Sequence, residues 1–228
     1  MLSGGTFMPL KVRAVERDVK GRYLIYLEGE EEPVLAVRED LLIRHRLLKG
    51  AELDEERIAR IGREAEEDEA YRAATASLGR GGRTRRELAL YLKRRGFPEQ
   101  VLRAALDRLA REGWLDDGRY AREFARVRAE SHYKGRNLIR SELLRRGVGR
   151  NEADEAVRSL DPETERRAAV EAALKKWPSL RGERRDRVRK LAQFLYRRGY
   201  TAGVVREAVR AAAGDAASEA EEAGLFDD

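Results

Sequence analysis

Arg94-Arg95-Gly96-Phe97, Arg145-Arg146-Gly147-Val148 and Arg197-Arg198-Gly199-Tyr200 are one phrase written three times in this chain. The glycines stand 51 and 52 residues apart. Self-similarity at a fixed period in this range signals a repeat architecture and decides the fold before any single element is read. The pattern extends outward from each glycine. Apolar residues recur eight positions before it (Leu88, Ile139, Leu191), four before it (Leu92, Leu143, Leu195) and one after it (Phe97, Val148, Tyr200). They recur again nine and ten positions after it, at Ala105-Leu106, Ala156-Val157 and Ala208-Val209.

Apolar residues at i and i+4 that stop at glycine describe an amphipathic helix closed by a left-handed C′ residue. A second amphipathic helix follows each corner, as in Val101, Leu102, Ala105, Leu106 and Leu109. Each period has room for one more helix, and the start signals for it are present. Thr84-x-x-Glu87 reads as a capping box opening the first corner helix. Asp161-Pro162-Glu163 reads as N-cap, N1 proline and first-turn acid. Asp116-Asp117 plays the same part before the stripe Tyr120, Ala121, Phe124, Val127. The spacing predicts three tandem three-helix units at 70–113, 114–160 and 161–213. A unit of this size buries little apolar surface alone, so neighbours are expected to stack and share a core.

Upstream, residues 10–18, 22–28 and 33–38 alternate or run apolar with β-branched and aromatic content, and glycine-bearing turns separate them. They read as a small three-stranded antiparallel sheet, which needs a helix packed on it. Asp40 is expected to open a short helix through Leu48, closed by Gly50, so that 1–53 forms one small module. From Asp54 a charged helix is expected to run toward Leu78, with 54–69 as connector and Gly62 as a possible bend. The fold class is mainly α, with a small antiparallel β region at the N-terminus. The tail 214–228 is Ala/Glu-rich and is expected to be disordered.

Composition narrows the function. With 39% charged and 7% aromatic residues, the chain reads as soluble, helix-rich and thinly cored. It has no cysteine, which excludes disulfides, zinc-thiolate sites and a cysteine nucleophile. No apolar run approaches the ~20 residues of a membrane span. The segment MLSGGTFMPL lacks the basic and apolar regions of a signal peptide, so a cytoplasmic location is expected. The net charge of +6 hides a segregation. Residues 1–70 hold 12 Lys and Arg against 17 Asp and Glu, residues 71–210 hold 36 against 19, and residues 211–228 hold 6 acids and no cation. A basic helical body between acidic ends points to a polyanion or an acidic protein groove, although Arg/Glu surfaces are also simply solvated.

Catalytic and metal signatures are missing. Ser77-Leu78-Gly79-Arg80-Gly81-Gly82-Arg83-Thr84 is glycine-rich, but it lacks the lysine of a phosphate loop and follows a helix, so it reads as linker plus N-cap. His45 and His132 are isolated, and no Ser/His/Asp order stands out. A non-enzymatic protein without cofactor is expected.

The corner glycines are structural, because glycine takes the left-handed conformation cheaply. One arginine per corner is explained by the helix dipole, worth about 0.3–1 kcal/mol. The cluster Lys134, Arg136, Arg140, Arg145, Arg146 and Arg150 exceeds that explanation, since residues 131–150 contain only Glu142 as an acid. Arg136 and Arg140 lie one turn apart, where like charges repel, and an anion is expected beside them. Six neutralised phosphates would give a salt slope of about −4 on single strands. Trp114 and Trp177 read as core packing. Tyr120 lies on an apolar stripe, whereas Tyr133, beside Lys134, is the better candidate for base stacking.

Leu115-Asp116-Asp117-x-Arg119-Tyr120-Ala121-x-x-Phe124, followed by Arg128 and then Gly135-x-x-x-Ile139-x-x-x-Leu143-x-x-x-Gly147-Val148, resembles the central module of the RecX family of regulators of the bacterial recombinase RecA. Glu87-Leu88-x-x-x-Leu92 and the downstream helix pair are similar as well, so the resemblance covers about 70–210. The resemblance implies three tandem three-helix repeats forming an elongated, slightly curved body, binding to RecA and to DNA, and lodging in the groove of the RecA–DNA filament. It also implies inhibition of filament extension, strand exchange, ATP hydrolysis and the co-protease activity of the SOS response. The family motif falls on Leu115, Asp116, Asp117, Tyr120, Ala121, Gly135, Leu143 and Gly147, expected mainly to hold the fold. DNA and filament contact is expected from the second-corner cluster together with Arg94, Arg95, Lys190, Arg197 and Arg198.

The chain is expected to be a monomer; its acidic tail reads first as plainly solvated, and screening of the basic face when no filament is present is the alternative. A sequence-specific helix-turn-helix regulator is the runner-up, disfavoured because the corner helices offer little beyond Gln100 and Asn137 for base readout. An adaptor that stacks on an acidic protein without touching DNA is the third reading.

Overall fold

A computed structural model describes residues 9–214 of the chain; the tail expected to be disordered lies, from 215 onward, outside the described residues. Among the described residues two compact units are present, one formed by 9–81 with 88–114, the other by 82–87 with 115–214.

In the first unit, strands β1 (Leu10–Arg17), β2 (Tyr23–Leu27) and β3 (Leu35–Val37) form the expected antiparallel meander. A fourth strand, β4 (Glu52–Leu53), adds to the other edge of β1 and gives the order β3-β2-β1-β4. Two residues are too few to show a period, which is why alternation does not reveal this strand. Helix α1 (Glu39–Arg44) ends well before Leu48. Arg46 takes φ +50°, and the chain leaves the helix so that Leu47 can enter the sheet core, where it is fully buried. Gly50, at φ +85°, then donates its N–H to Val12.

Helix α2 (Glu55–Leu78) is capped by Asp54, whose carboxylate accepts the Arg57 N–H at 2.7 Å. Its first half covers the sheet through Ile58, Ile61 and Ala65. Gly62 faces β3, where an added Cβ would make ordinary contact with Leu35 at 3.6 Å. The same helix continues without interruption across residues 69–70, so connector and first repeat share one rod. Its second half packs on α4 (Glu99–Arg111), which follows the corner helix α3 (Arg85–Arg94). Arg108 stacks on Tyr71 at 4.0 Å, and Tyr71 donates a hydrogen bond to Glu112, tying α2 to α4. Trp114 departs from expectation: it is 59% exposed just past the left-handed Gly113, while Leu102, Leu106 and Leu109 supply the buried face of α4.

The second unit holds α5 (Asp117–Glu130), α6 (Arg136–Arg146) and α7 (Arg150–Arg158), then α8 (Pro162–Lys176), α9 (Arg184–Arg197) and α10 (Ala202–Ala213). A 3-10 turn, Trp177–Ser179, follows α8. Small residues bring the helices together. Ala121, Ala125 and Ala129 of α5 face Ile139, Leu143, Ala153 and Ala156 in one core, and Ala169, Ala172 and Ala173 of α8 face Val188, Leu191, Leu195 and Val205 in the other. The expected start signals are in place: Asp116 accepts the Arg119 N–H at 2.8 Å, and Asp161 accepts those of Glu163 and Thr164, with Pro162 at N1.

Each corner glycine is left-handed, with φ +90° at Gly96, +88° at Gly147 and +86° at Gly199. The N–H groups of Phe97, Val148 and Tyr200 reach back to the carbonyls of Leu92, Leu143 and Leu195. This is the Schellman bond that satisfies the orphaned carbonyls of a helix end. Val148 and Tyr200 are buried beneath their corners.

Candidate functional site: the arginine corners

The second corner sits on the first turn of α3. Thr84 and Glu87 form the expected capping box, with Glu87 N–H donating to Thr84 Oγ1 at 3.1 Å and Thr84 N–H donating to Glu87 Oε2 at 3.2 Å. The box does more than cap. The buried Thr84 hydroxyl donates to the Arg146 carbonyl at 2.7 Å, and the Arg146 guanidinium donates to Glu87 Oε1 at 2.7 Å. Asp117 completes the joint by accepting the Arg85 N–H at 2.8 Å. Burial pushes its carboxyl above the ordinary value, against the lowering effect of that N–H. Of the two adjacent acids of the family motif, Asp116 therefore caps its own helix and Asp117 caps the corner helix before it.

The third corner repeats this arrangement on the first turn of α6 with backbone instead of side chain. Gly135 N–H donates to the Arg198 carbonyl at 2.8 Å, and Asn137 N–H donates to the Gly199 carbonyl at 3.1 Å. A Cβ on Gly135 would lie 2.4 Å from the Gly199 carbonyl, and one on Gly199 would lie 2.2 Å from Leu138 N. Glu165 accepts the Arg136 N–H at 3.1 Å, the part Asp117 plays at the other joint. A helix start has free N–H groups and a helix end has free carbonyls. Setting the end of one corner against the start of the preceding corner helix satisfies both.

The joints divide the two arginines of each phrase. The second arginine is held at both joints: Arg146 as above and over the Phe124 ring, and Arg198 on the carbonyls of His132 and Tyr133 and over Phe194. At the first corner, Arg95 lies over Tyr91 and donates to its hydroxyl. The leading arginines, Arg94, Arg145 and Arg197, are all exposed. Arg94 bonds only a carbonyl in its own helix, and neither Arg145 nor Arg197 forms an ion pair among the described residues.

The six-cation cluster is less free than its sequence implies. Lys134 pairs with Glu142 at 2.5 Å and Arg136 with the buried Glu165 at 2.6 Å; Arg140 pairs with Asp154. With Arg146 on Glu87, four of the six meet a carboxylate, and only Arg145 and Arg150 stay exposed without a salt bridge among the described residues. The expectation that Glu142 alone offsets this cluster is corrected: three of the carboxylates come from α3, α7 and α8. They also remove the motive for an anion between Arg136 and Arg140. Tyr133 is likewise occupied. It takes φ +52°, donates to Glu171 at 2.8 Å, and carries Lys175 over its ring at 4.3 Å. Tyr120 packs against the second core with Phe124, and its burial pushes its hydroxyl upward. Leu115, Ala121 and Leu143 are buried, in keeping with a structural role. Lys190 is exposed and donates to the Arg181 carbonyl at 2.9 Å. His45, isolated in sequence, meets Glu64 at 2.8 Å through the fold.

Residues 70–109, 116–157 and 163–209 match in turn the first, second and third three-helix domains of RecX. The chain belongs to the RecX family. Among RecX relatives, the regulatory protein RecX of Limosilactobacillus reuteri (strain DSM 20016) is 33% identical over 195 residues, which cover 85% of this chain and 72% of that one. The regulatory protein RecX of Halorhodospira halophila is 40% identical over 140 residues, covering 61% of this chain and 86% of that one. A crystal structure of a regulatory protein RecX superposes with a TM-score of 0.71 at 33% identity, over 86% of this chain and 96% of that chain. RecX from Lactobacillus salivarius, at 22% identity and a TM-score of 0.58, shares the fold over 64% of this chain and 95% of its own. The RecX three-helix domains thus account for the triple phrase from which the fold was read. No helix among the described residues is long and apolar enough to cross a membrane.

Proposed function

We propose that this chain is a non-enzymatic, cytoplasmic regulator of RecA. It binds RecA and the RecA–DNA filament, blocks filament extension, and thereby lowers recombinase, ATPase and co-protease activity in DNA repair and the SOS response. It acts as a monomer and binds DNA without sequence preference. One observation carries the reading: three RecX domains in series present a leading arginine at equivalent positions, Arg94, Arg145 and Arg197, each exposed. Repeated, unneutralised cations suit a periodic polyanion such as a nucleoprotein filament.

The helix-turn-helix alternative meets a geometric obstacle. A recognition helix reads bases with its N-terminal residues. The first turns of α3 and α6 are instead occupied by Arg146 and by Gly199 of the following corners. The test is RecA ATPase on single-stranded DNA with this protein titrated in at several salt concentrations. The expected result is inhibition that weakens as salt rises; ATPase unchanged at a molar excess of the protein would overturn the reading. Charge reversal at Arg145 separates the adaptor reading, which expects loss of RecA inhibition with DNA binding intact.

A further inference from the structure

Once the corner cluster is discounted for its carboxylates, uncompensated positive charge remains on α9. Residues 181–198 carry eight Lys and Arg, with Glu183 and Asp186 as the only acids. In this segment one ion pair forms, between Arg189 and Asp186 at 2.9 Å, and both side chains are about half exposed. Helical periodicity sorts the residues cleanly. Val188, Leu191, Ala192 and Leu195 face the core. Arg185, Arg189, Lys190, Gln193, Tyr196 and Arg197 share the outward arc, with Asp186 among them as the partner of Arg189. Arg187 and Arg198 do not belong to it, since they are spent on Trp177 and on the third corner.

Tyr196 makes this face unlike an ordinary solvated one. It is 40% exposed, and no cation lies over its ring among the described residues, in contrast to Tyr133 beneath Lys175. The equivalent positions of the other corner helices hold Lys93 and Leu144, so an aromatic ring at this place belongs to the third repeat alone. From Arg185 to Arg197 the helix spans about 18 Å at 1.5 Å per residue, enough to follow several nucleotides.

We propose that the outward face of α9 is a binding strip for single-stranded nucleic acid, Tyr196 stacking on a base while Arg185, Lys190 and Arg197 engage the phosphates. The proposal rests on the regulatory reading above and names its nucleic-acid-binding element. A lone exposed ring flanked by cations is the chemistry of single-strand binding, because an unpaired base offers a face that a duplex keeps stacked inside. An acidic protein groove would use the cations and leave the ring idle.

Fluorescence anisotropy of a labelled oligothymidylate of about 20 nucleotides, beside a duplex of the same length, tests the strip. The full chain is expected to prefer the single strand. Tyr196→Ala weakens that binding about tenfold and barely changes duplex binding, while Tyr196→Phe, which keeps the ring, stays within about twofold. The double variant Lys190→Gln/Arg197→Gln makes the slope of log affinity against log salt shallower by about 1.4, since each phosphate contact on a single strand contributes about 0.7. Arg140→Gln, whose guanidinium serves Asp154, leaves the slope unchanged. Circular dichroism and thermal midpoints confirm that the variants are folded. Equal binding by Tyr196→Ala and the parent, a preference for duplex, or no single-strand binding at all would overturn the strip. Failure of the regulatory reading is separate, showing as a parent chain that binds the oligonucleotide yet leaves RecA ATPase untouched.

Discussion

Gly135 and Gly199 meet backbone to backbone, with a Cβ on Gly135 only 2.4 Å from the Gly199 carbonyl carbon and oxygen. The contact joins the start of α6 to the third corner, where Gly135 N–H donates to Arg198 at 2.8 Å. Only two residues without side chains can come this close. The corner phrase is therefore a docking element as well as a helix stop.

Two of the corner glycines separate these roles. Gly96 and Gly199 share φ near +90° and +86°, but an added Cβ meets nothing within 4 Å at Gly96 and meets Leu138 N at 2.2 Å at Gly199. Gly96→Ala should cost about 1 kcal/mol, from backbone conformation alone. Gly199→Ala should cost that and a further 1–3 kcal/mol or so from overpacking. Urea unfolding of the two variants provides the comparison; equal midpoints would contradict the backbone dock.

The paired cations of α6 should behave as structure. Glu165 is 5% exposed, and Arg136 is its charge partner. Arg136→Ala removes the charge partner of a buried carboxylate and should destabilise by about 3 kcal/mol. Arg145→Ala should stay within about 0.5 kcal/mol, as exposed substitutions do. Chemical denaturation decides, and similar losses in both would dissolve the distinction between latch and free surface.

Asp117 gives the second joint a pH dependence of defined sign. Its carboxyl is raised in the folded chain from an ordinary value of 3.8, chiefly by burial. A raised acid favours folding most while protonated, so its contribution is fully present below the unfolded value and declines as pH rises through the folded one. Asp117→Asn keeps an oxygen for the Arg85 N–H and removes the charge. The stability of the parent relative to Asp117→Asn should thus fall as pH climbs from below 3.8 to above it. Thermal midpoints of both proteins across that range measure it, and a rising difference would refute the assignment.

The two tryptophans should respond unequally. Trp177 packs against the third-repeat core with Arg187 stacked on it at 4.0 Å, whereas Trp114 is 59% exposed. Trp177→Ala should cost about 2–4 kcal/mol and Trp114→Ala less than about 0.5 kcal/mol, both read from urea midpoints.

What the sequence by itself determined is everything governed by neighbours along the chain. The triple phrase, the Thr84–Glu87 box, the Asp161-Pro162 start and the left-handed glycines depend on residues within one or two turns, and helix period and capping chemistry are local rules. The two-residue β4 and the early end of α1 escaped, because distant pairing with β1 and burial of Leu47 decided them. The site was legible only as a list of cations. Arg136 finds Glu165 at a separation of 29 residues, Arg146 finds Glu87 at 59, and Arg198 finds the His132 carbonyl at 66. Which guanidiniums are spent on holding repeats together, and which still face solvent, depends on charges that meet only when the helices stack. Coulomb attraction follows distance in space and not along the chain, so the tertiary structure alone could move the free charge from α6 to α9.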